Sequence, residues 1–197
     1  MQWSILGGQA SLMHGIAREL TDCGLTAVTF DMRGVGGSSG SRTVRGAAEV
    51  EDVRAVVEWT HTKMRDEGGD GNIVILGSSA GAPIAGSALD AFEFVRGFVG
   101  IGYVVGFFAS IIFGCHYPPL IASRKPKLFI LGTKDEFTSP AQLQGLLGRM
   151  EGVRESHLVE GVGHFTLESP QFDALMADLT LKFVQKHCSS LPQQSAE

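Results

Sequence analysis

The chain has 197 residues, of which 44% are hydrophobic and 19% charged, a balance typical of one globular domain with a substantial core. Its formal net charge of -5, without any basic stretch, argues against a nucleic-acid partner. The three cysteines, Cys23, Cys115 and Cys188, have no C-x-x-C spacing, so we expect reduced thiols in a cytoplasmic protein and no metal site.

Helical and strand-like segments alternate along the chain. The apolar spacing predicts helices over 10–24, 47–64, 80–92, 107–114, 139–150 and 169–187. Short apolar runs predict strands over 25–31, 72–77, 94–102, 127–133 and 155–161. Because most of these strands are apolar on both faces, we expect a three-layer α/β sandwich with a mostly parallel sheet covered by helices on both sides.

Local signals support several of these boundaries. Gly24 suits the C-terminal cap of the first helix, while Ser139 and Pro140 suit the N-cap and first position of a later one. No repeat or long linker divides the chain. We therefore expect a single α/β domain over 1–188 and a flexible tail over 189–197.

One uncharged stretch, 97–115, is about long enough to cross a bilayer. It contains five glycines and is followed by Pro118 and Pro119, a pattern that favours a buried strand and a short buried helix over a membrane span. The start of the chain also lacks the basic and apolar regions of a signal peptide.

Two segments match the pattern G-x-S-x-G, one around Ser79 and one around Ser38. A serine nucleophile must project from a tight turn between a strand and a helix, where flanking glycines allow close backbone approach. Ser79 follows the apolar strand NIVIL and precedes a helix, whereas Ser38 lies within a long loop. The context therefore selects Ser79.

The loop around Ser38 also invites comparison with a dinucleotide-binding fingerprint. Gly34, Gly36 and Gly40 approximate its spacing, but the last glycine comes one place late. No predicted helix opens on the loop, so no helix N-terminus faces a phosphate group. We do not expect a nucleotide cofactor.

Polar residues follow two later strands. Asp135 and Glu136 come after KLFILGT, and His164 comes after ESHLVEG. A serine needs a base that takes its proton and a carboxylate that orients the base. Because the carboxyl ends of parallel strands share one sheet edge, Ser79, Asp135 and His164 are expected to meet there. Glu136 remains an alternative to Asp135.

The segments DMRGVGGSSG, GSSAGAPIA, LGTKDEFTS and EGVGHF resemble those of the α/β-hydrolase superfamily, and within it the small lidless serine hydrolases similar to dienelactone hydrolase. The resemblance covers nearly the whole chain. It implies that Ser79 is the nucleophile, Asp135 the acid and His164 the base. It also implies an oxyanion hole formed by the N–H of Ala80 and a second donor, such as Trp3, from the loop near Trp3 to Gly8.

The N-terminal segment MQWSILGG departs from this family pattern. Related enzymes carry two or more strands and a His-Gly or His-Pro motif before the equivalent segment. The shortened start suggests a truncated gene product, an isoform or a weakened enzyme. It also predicts an exposed sheet edge through which the protein could form a homo-oligomer.

The residues Phe107, Phe108 and Ile111 lie one loop after the predicted strand over 94–102. They are candidates for an acyl-binding pocket. Ordinary core packing at the strand-to-helix crossing explains the same pattern equally well.

Together these features predict a serine hydrolase that cleaves ester or thioester bonds of small to medium acyl substrates. Such chemistry needs no metal and no organic cofactor. The alternative is a catalytically weak or inactive α/β-hydrolase-fold protein that binds a small molecule or a protein partner.

Overall fold

The computed structural model describes residues 8–188. Four parallel strands form its sheet in the order β1-β2-β3-β4. They are β1 Ile73–Ser78, β2 Val95–Ile101, β3 Lys127–Gly132 and β4 Arg154–Val159. The α-helices are α1 His14–Asp22, α2 Ala47–Asp66, α3 Gly81–Ser87, α4 Phe107–Phe113, α5 Tyr117–Ala122, α6 Pro140–Leu147, α7 His164–Leu167 and α8 Asp173–Phe183.

Helices cover both faces of the sheet. Residues of α2, α3, α5 and α6 pack in one core cluster, and residues of α1 and α8 pack in the other. Successive strand residues alternate between the clusters: Phe98 and Phe129 belong to the first, Val99 and Leu128 to the second. The predicted three-layer α/β sandwich with a parallel sheet is confirmed.

Several predicted helix boundaries are confirmed by their capping geometry. Ser139 Oγ accepts a hydrogen bond from the Gln142 N–H at 3.2 Å, and Gln142 Oε1 accepts one from the Ser139 N–H at 2.8 Å. Gly24 has φ +86° just beyond the end of α1, a backbone conformation that favours glycine. The start of the predicted helix over 10–24 differs from expectation, because Ala10–Met13 form a 3-10 helix in which Leu12 is half exposed.

The predicted strand over 25–31 is wrong, since no strand is assigned there. A strand is defined by hydrogen bonds to a neighbour, and among the described residues β1 pairs only with β2. The β-branched composition of 25–31 is a local property that cannot supply this neighbour. The structure also contains two short helices that were not predicted, α5 and α7.

Residues 97–115 pass through β2, a loop and α4 rather than forming one long helix. Within residues 8–188, no helix is both long enough and apolar enough to cross a membrane. β1 and β4 are the outer strands of the sheet formed by the described residues. Self-association through a sheet edge and the single-domain boundary at 188 stay predictions, and the proposed tail at 189–197 lies outside the described residues.

Candidate active site

Ser79 occupies the turn between β1 and α3. Its φ is +52°, the one positive φ of a non-glycine residue among residues 8–188. This left-handed conformation is unfavourable for an L-residue by about 1–2 kcal/mol, so surrounding contacts must hold it. The Ser79 N–H donates to the Ile101 carbonyl at 2.9 Å, and the Ser79 carbonyl accepts from the Ala82 N–H at 3.0 Å.

The two glycines flanking this turn differ in importance. A Cβ at Gly77 would lie 2.8 Å from the Ala82 Cα, so α3 approaches β1 too closely for a side chain there. A Cβ at Gly81 would meet nothing within 4 Å. Only the first glycine of the G-x-S-x-G pattern is therefore required by sterics.

A chain of hydrogen bonds leads from Ser79 to a buried carboxylate. Ser79 Oγ lies 2.7 Å from His164 Nε2, and His164 Nδ1 lies 2.7 Å from Asp135 Oδ2. The side chains of His164 and Asp135 are 1% and 0% exposed. In the neutral tautomer that donates from Nδ1 to Asp135, Nε2 is free to accept the serine proton.

Asp135 is oriented by the loop that follows β3. Its Oδ1 accepts from the N–H groups of Phe137 and Thr138 at 2.9 and 2.8 Å. These two bonds leave Oδ2 to face the imidazole of His164. The carboxylate therefore holds its own loop with one oxygen and the histidine with the other.

Glu136, the sequence alternative to Asp135, has a different partner. Its Oε2 accepts the backbone N–H of His164 at 2.8 Å. The structure thus brings Asp135 to the ring and Glu136 to the backbone at the start of α7. Adjacent carboxylates hold the same histidine at two separate points.

The bond between Ser78 and Glu168 was not anticipated from the sequence. Ser78 Oγ donates to Glu168 Oε1 at 2.5 Å. Ser78 precedes the turn residue Ser79, and Glu168 directly follows the helix that begins at His164. The contact links the two halves of the site across ninety positions of the chain, and no local pattern in the sequence indicates it.

Gly102 packs against the histidine ring. Its φ is +54°, and a Cβ at this position would lie 3.0 Å from His164 Cε1. The glycine N–H donates to the Ile130 carbonyl at 2.8 Å, which fixes the backbone beside the ring. Any side chain here would be strained and would press on the imidazole.

The environment of His164 acts on its basicity in opposite directions. Burial lowers the pKa of the imidazole, whereas the hydrogen bond and charge of Asp135 raise it, with further contributions from the charges of Glu168 and Glu136. The net effect raises the pKa of His164 above its ordinary value of 6.5. The ring therefore gains a proton more readily than a free histidine, which suits a base.

The two predicted oxyanion donors have different outcomes. Ala80 immediately follows Ser79 and is the N-cap of α3, where the first N–H groups of a helix have no intrahelical acceptor. Trp3 lies outside the described residues. The second donor stays a prediction.

Phe107, Phe108 and Ile111 are on α4 with 75%, 80% and 60% of their surface exposed. Their interpretation as ordinary core is therefore wrong.

Two further aromatic rings, not singled out from the sequence, lie beside the imidazole: Phe137 and Phe165 have ring centroids 4.7 and 5.4 Å from that of His164.

Ser38, the competing serine, has a structural bond. Its hydroxyl donates to the Asp31 carbonyl at 2.6 Å within the loop, and the Asp31 carboxylate accepts the Gly37 N–H at 3.0 Å. Among residues 8–188, no group of three or more histidine, cysteine or acidic side chains could hold a metal ion.

Comparisons with known proteins agree with this fold. The family model of the alpha/beta hydrolase fold matches residues 6–103. An α/β serine hydrolase homologue from Coxiella burnetii is 25% identical, covers 90% of this chain and 76% of its own, and has a TM-score of 0.68. A search of curated proteins finds no match.

Two other solved structures share the architecture. A serine hydrolase without a lid from Xanthomonas campestris is 24% identical, covers 96% of this chain and 81% of its own, and has a TM-score of 0.72. An esterase from Pyrococcus furiosus is 17% identical and has a TM-score of 0.77, and the match covers 95% of this chain and 78% of the esterase chain. This chain has the α/β-hydrolase fold.

Proposed function

We propose that the protein is a serine hydrolase that cleaves carboxylic ester or thioester bonds of small to medium acyl substrates. The observation that carries the proposal is the continuous hydrogen-bonded path from Ser79 through His164 to Asp135, with 2.7 Å at each link. The serine hydrolase and esterase structures with the same fold support this reaction class.

In the first half of the reaction, Ser79 Oγ attacks the substrate carbonyl carbon while its proton passes to His164 Nε2. The negative charge of Asp135 stabilises the imidazolium that forms. The Ala80 N–H stabilises the developing oxyanion. When the carbon–oxygen or carbon–sulfur bond breaks, Nε2 returns the proton to the leaving group, and the acyl group remains on Ser79.

In the second half, a water molecule takes the place of the leaving group. His164 accepts its proton as it attacks the acyl carbon, then gives that proton back to Ser79 Oγ as the acid departs. Every proton in this cycle moves through one nitrogen. The cycle requires no metal and no organic cofactor.

The exposed apolar side chains of α4 support a role in binding the acyl portion. Phe107, Phe108 and Ile111 are candidates, because exposed apolar surface of this extent favours an apolar ligand. Their helix follows Gly106, which packs against the carbonyl of Phe137. The predicted partner is therefore a small-molecule acyl substrate. A cytoplasmic location stays a prediction.

The experiment that tests this function is the intact mass of the protein after treatment with a fluorophosphonate probe. Wild type and the Ser38→Ala variant should each gain one adduct, whereas Ser79→Ala should gain none. Hydrolysis of nitrophenyl acetate should fall about 10⁴-fold or more in Ser79→Ala. Ser38→Ala is the matched control, since it removes the other serine of the same sequence pattern.

A folded wild type without an adduct would contradict the proposal. The alternative would then be an α/β-hydrolase fold that binds a small molecule or a protein partner without turnover. Binding of a small molecule or a protein partner that is equally tight in wild type and in Ser79→Ala, without turnover, would support that alternative.

A further inference from the structure

The aromatic side chains of Phe137 and Phe165 form an exposed rim around the candidate base. Their ring centroids lie 5.7 Å from one another, and both rings meet the imidazole of His164 edge to face. Phe137 is 46% exposed and Phe165 is 63% exposed. Large aromatic surfaces that remain open beside a buried polar network are suited to a ligand contact.

Both rings are attached to backbone that the polar network fixes. The Phe137 N–H donates to Asp135 Oδ1 at 2.9 Å, and Phe165 follows His164, whose own N–H donates to Glu136. The contacts that orient the acid and the base therefore also place the rim. A ligand that covers the rings meets a surface whose backbone is already ordered.

The reaction decides which part of a substrate lies next to this rim. His164 Nε2 must deliver its proton to the leaving-group oxygen, which requires a separation of about 3 Å. The alcohol portion of an ester is therefore the portion nearest the imidazole, whereas the acyl carbon is bonded to Ser79. The rings that contact the imidazole are within reach of the alcohol.

Charge near His164 narrows the chemistry of that alcohol. The largest charge contributions at the imidazole come from Asp135, Glu168 and Glu136, and all three are negative. An anionic leaving group would be repelled by these carboxylates. A neutral group with an apolar ring would instead cover exposed aromatic surface.

We propose that Phe137 and Phe165 form a leaving-group site that selects esters of neutral arylalkyl alcohols. This inference rests on the proposed hydrolase function and deepens it. It assigns the acyl portion to the side of Ser79 and the alcohol portion to the aromatic rim. Gly106, the residue before α4, packs against the Phe137 carbonyl, so the candidate acyl-side helix begins beside the same rim.

The test compares three acetate esters: ethyl acetate, 2-phenylethyl acetate, and the 2-phenylethyl ester with a carboxylate on its ring. For wild type, kcat/KM for 2-phenylethyl acetate should exceed that for ethyl acetate by about 10-fold, and the ring carboxylate should remove most of this advantage. In Phe137→Ala and Phe165→Ala, the ratio of kcat/KM for 2-phenylethyl acetate to kcat/KM for ethyl acetate should fall about 5-fold, mainly through a higher KM for 2-phenylethyl acetate.

Trp59→Ala is the matched control, because Trp59 is an aromatic residue on α2 with 56% exposure. It should leave all three rates unchanged. Phe137→Leu and Phe165→Leu retain an apolar side chain without the ring, and serve if an alanine variant fails to fold. Equal wild-type rates for the two neutral esters, or a ratio that the rim variants do not change, would overturn the inference.

Two other outcomes distinguish a failure of the leaving-group site from a failure of the proposed hydrolase function. A wild type that takes the fluorophosphonate adduct but shows no preference among the esters overturns the leaving-group site alone. A wild type that takes no adduct and hydrolyses no ester overturns both. If sedimentation shows self-association that Phe165→Ala abolishes, with equal ester rates, the rim is a contact between copies and the inference is wrong.

Discussion

The two ends of β3 each carry a buried charged group, but the two groups have different surroundings. At the amino end, Lys127 Nζ donates to the carbonyls of Ser123, Lys125 and Glu151 at 2.5, 2.9 and 3.0 Å. Past the carboxyl end, Asp135 accepts two backbone N–H groups and faces His164.

The difference lies in where each network ends. All three ammonium protons of Lys127 are used by backbone carbonyls, so its network is closed and can accept no ligand. The network of Asp135 continues through the imidazole and ends on the hydroxyl of Ser79, a half-buried residue in a left-handed turn. Burial of charge is common to both ends, and of these two networks only the open one ends on a hydroxyl group.

The largest expected effect is at the open network. Replacing Asp135 by Asn should lower kcat by about 10⁴-fold, because the amide favours the wrong tautomer of His164. Glu136→Gln should lower kcat by less than about 10-fold, since Glu136 holds backbone rather than the ring. Steady-state kinetics on nitrophenyl acetate measure both. Equal losses in the two variants would contradict the assignment of separate roles.

Gly102→Ala should have the next largest effect. A Cβ 3.0 Å from His164 Cε1 would displace the ring by a few tenths of an ångström. Because a misplacement of about 1 Å costs about 10²-fold, kcat should fall by about 3- to 10-fold. The matched control is Gly145→Ala, an exposed position of α6 where a Cβ meets nothing within 4 Å. It should leave kcat unchanged and raise the thermal midpoint. Wild-type kcat in a folded Gly102→Ala protein would contradict the proposed ring packing.

The closed network is tested by stability rather than activity. Burial lowers the pKa of Lys127 from 10.5 to about 8. At this lysine the unfolded chain therefore binds more protons than the folded protein between these values, so the contribution of Lys127 to stability should rise as pH increases from about 8 to 10.5.

In Lys127→Met this contribution is absent. The free energy of unfolding of wild type should increase relative to that of Lys127→Met by on the order of 2 kcal/mol as the pH rises across that interval. Urea unfolding at pH 8 and pH 10.5 measures it, with Lys182→Met on the exposed face of α8 as the control. A difference that does not vary with pH would show that the lysine is not perturbed as described.

The smallest effect is a shift in pH dependence at the open network. Because His164 must be neutral to accept the serine proton and its pKa is raised, kcat/KM should fall as the pH drops through a value above 6.5. Glu168→Gln removes a negative charge and should move this acid limb to lower pH, with a change in maximal kcat/KM of about 2- to 5-fold. Ser78→Ala removes the hydrogen bond between Ser78 and Glu168 but keeps the carboxylate charge, so its acid limb should not make that shift. A Glu168→Gln profile identical to wild type would contradict a role for the charge.

Much of the fold could be predicted from the sequence, because periodicity and capping are local. The four strands were expected within a few residues, and Ser139 and Gly24 were identified by the requirements of a helix cap and of a left-handed residue. The segment 25–31 was mispredicted for the complementary reason. Its composition suits a strand, but a strand exists only with a partner, and the partner is not encoded in the segment itself.

The sequence by itself determined the parallel α/β layering and the residue types at three strand ends, since each depends on neighbours within one element. Only the tertiary structure decided that Asp135 rather than Glu136 meets the imidazole and that Glu168 reaches Ser78. It also decided that Phe107, Phe108 and Ile111 of α4 face outward. These facts depend on distances between residues far apart in the chain. Such distances are set when the layers pack together, and no local pattern specifies them.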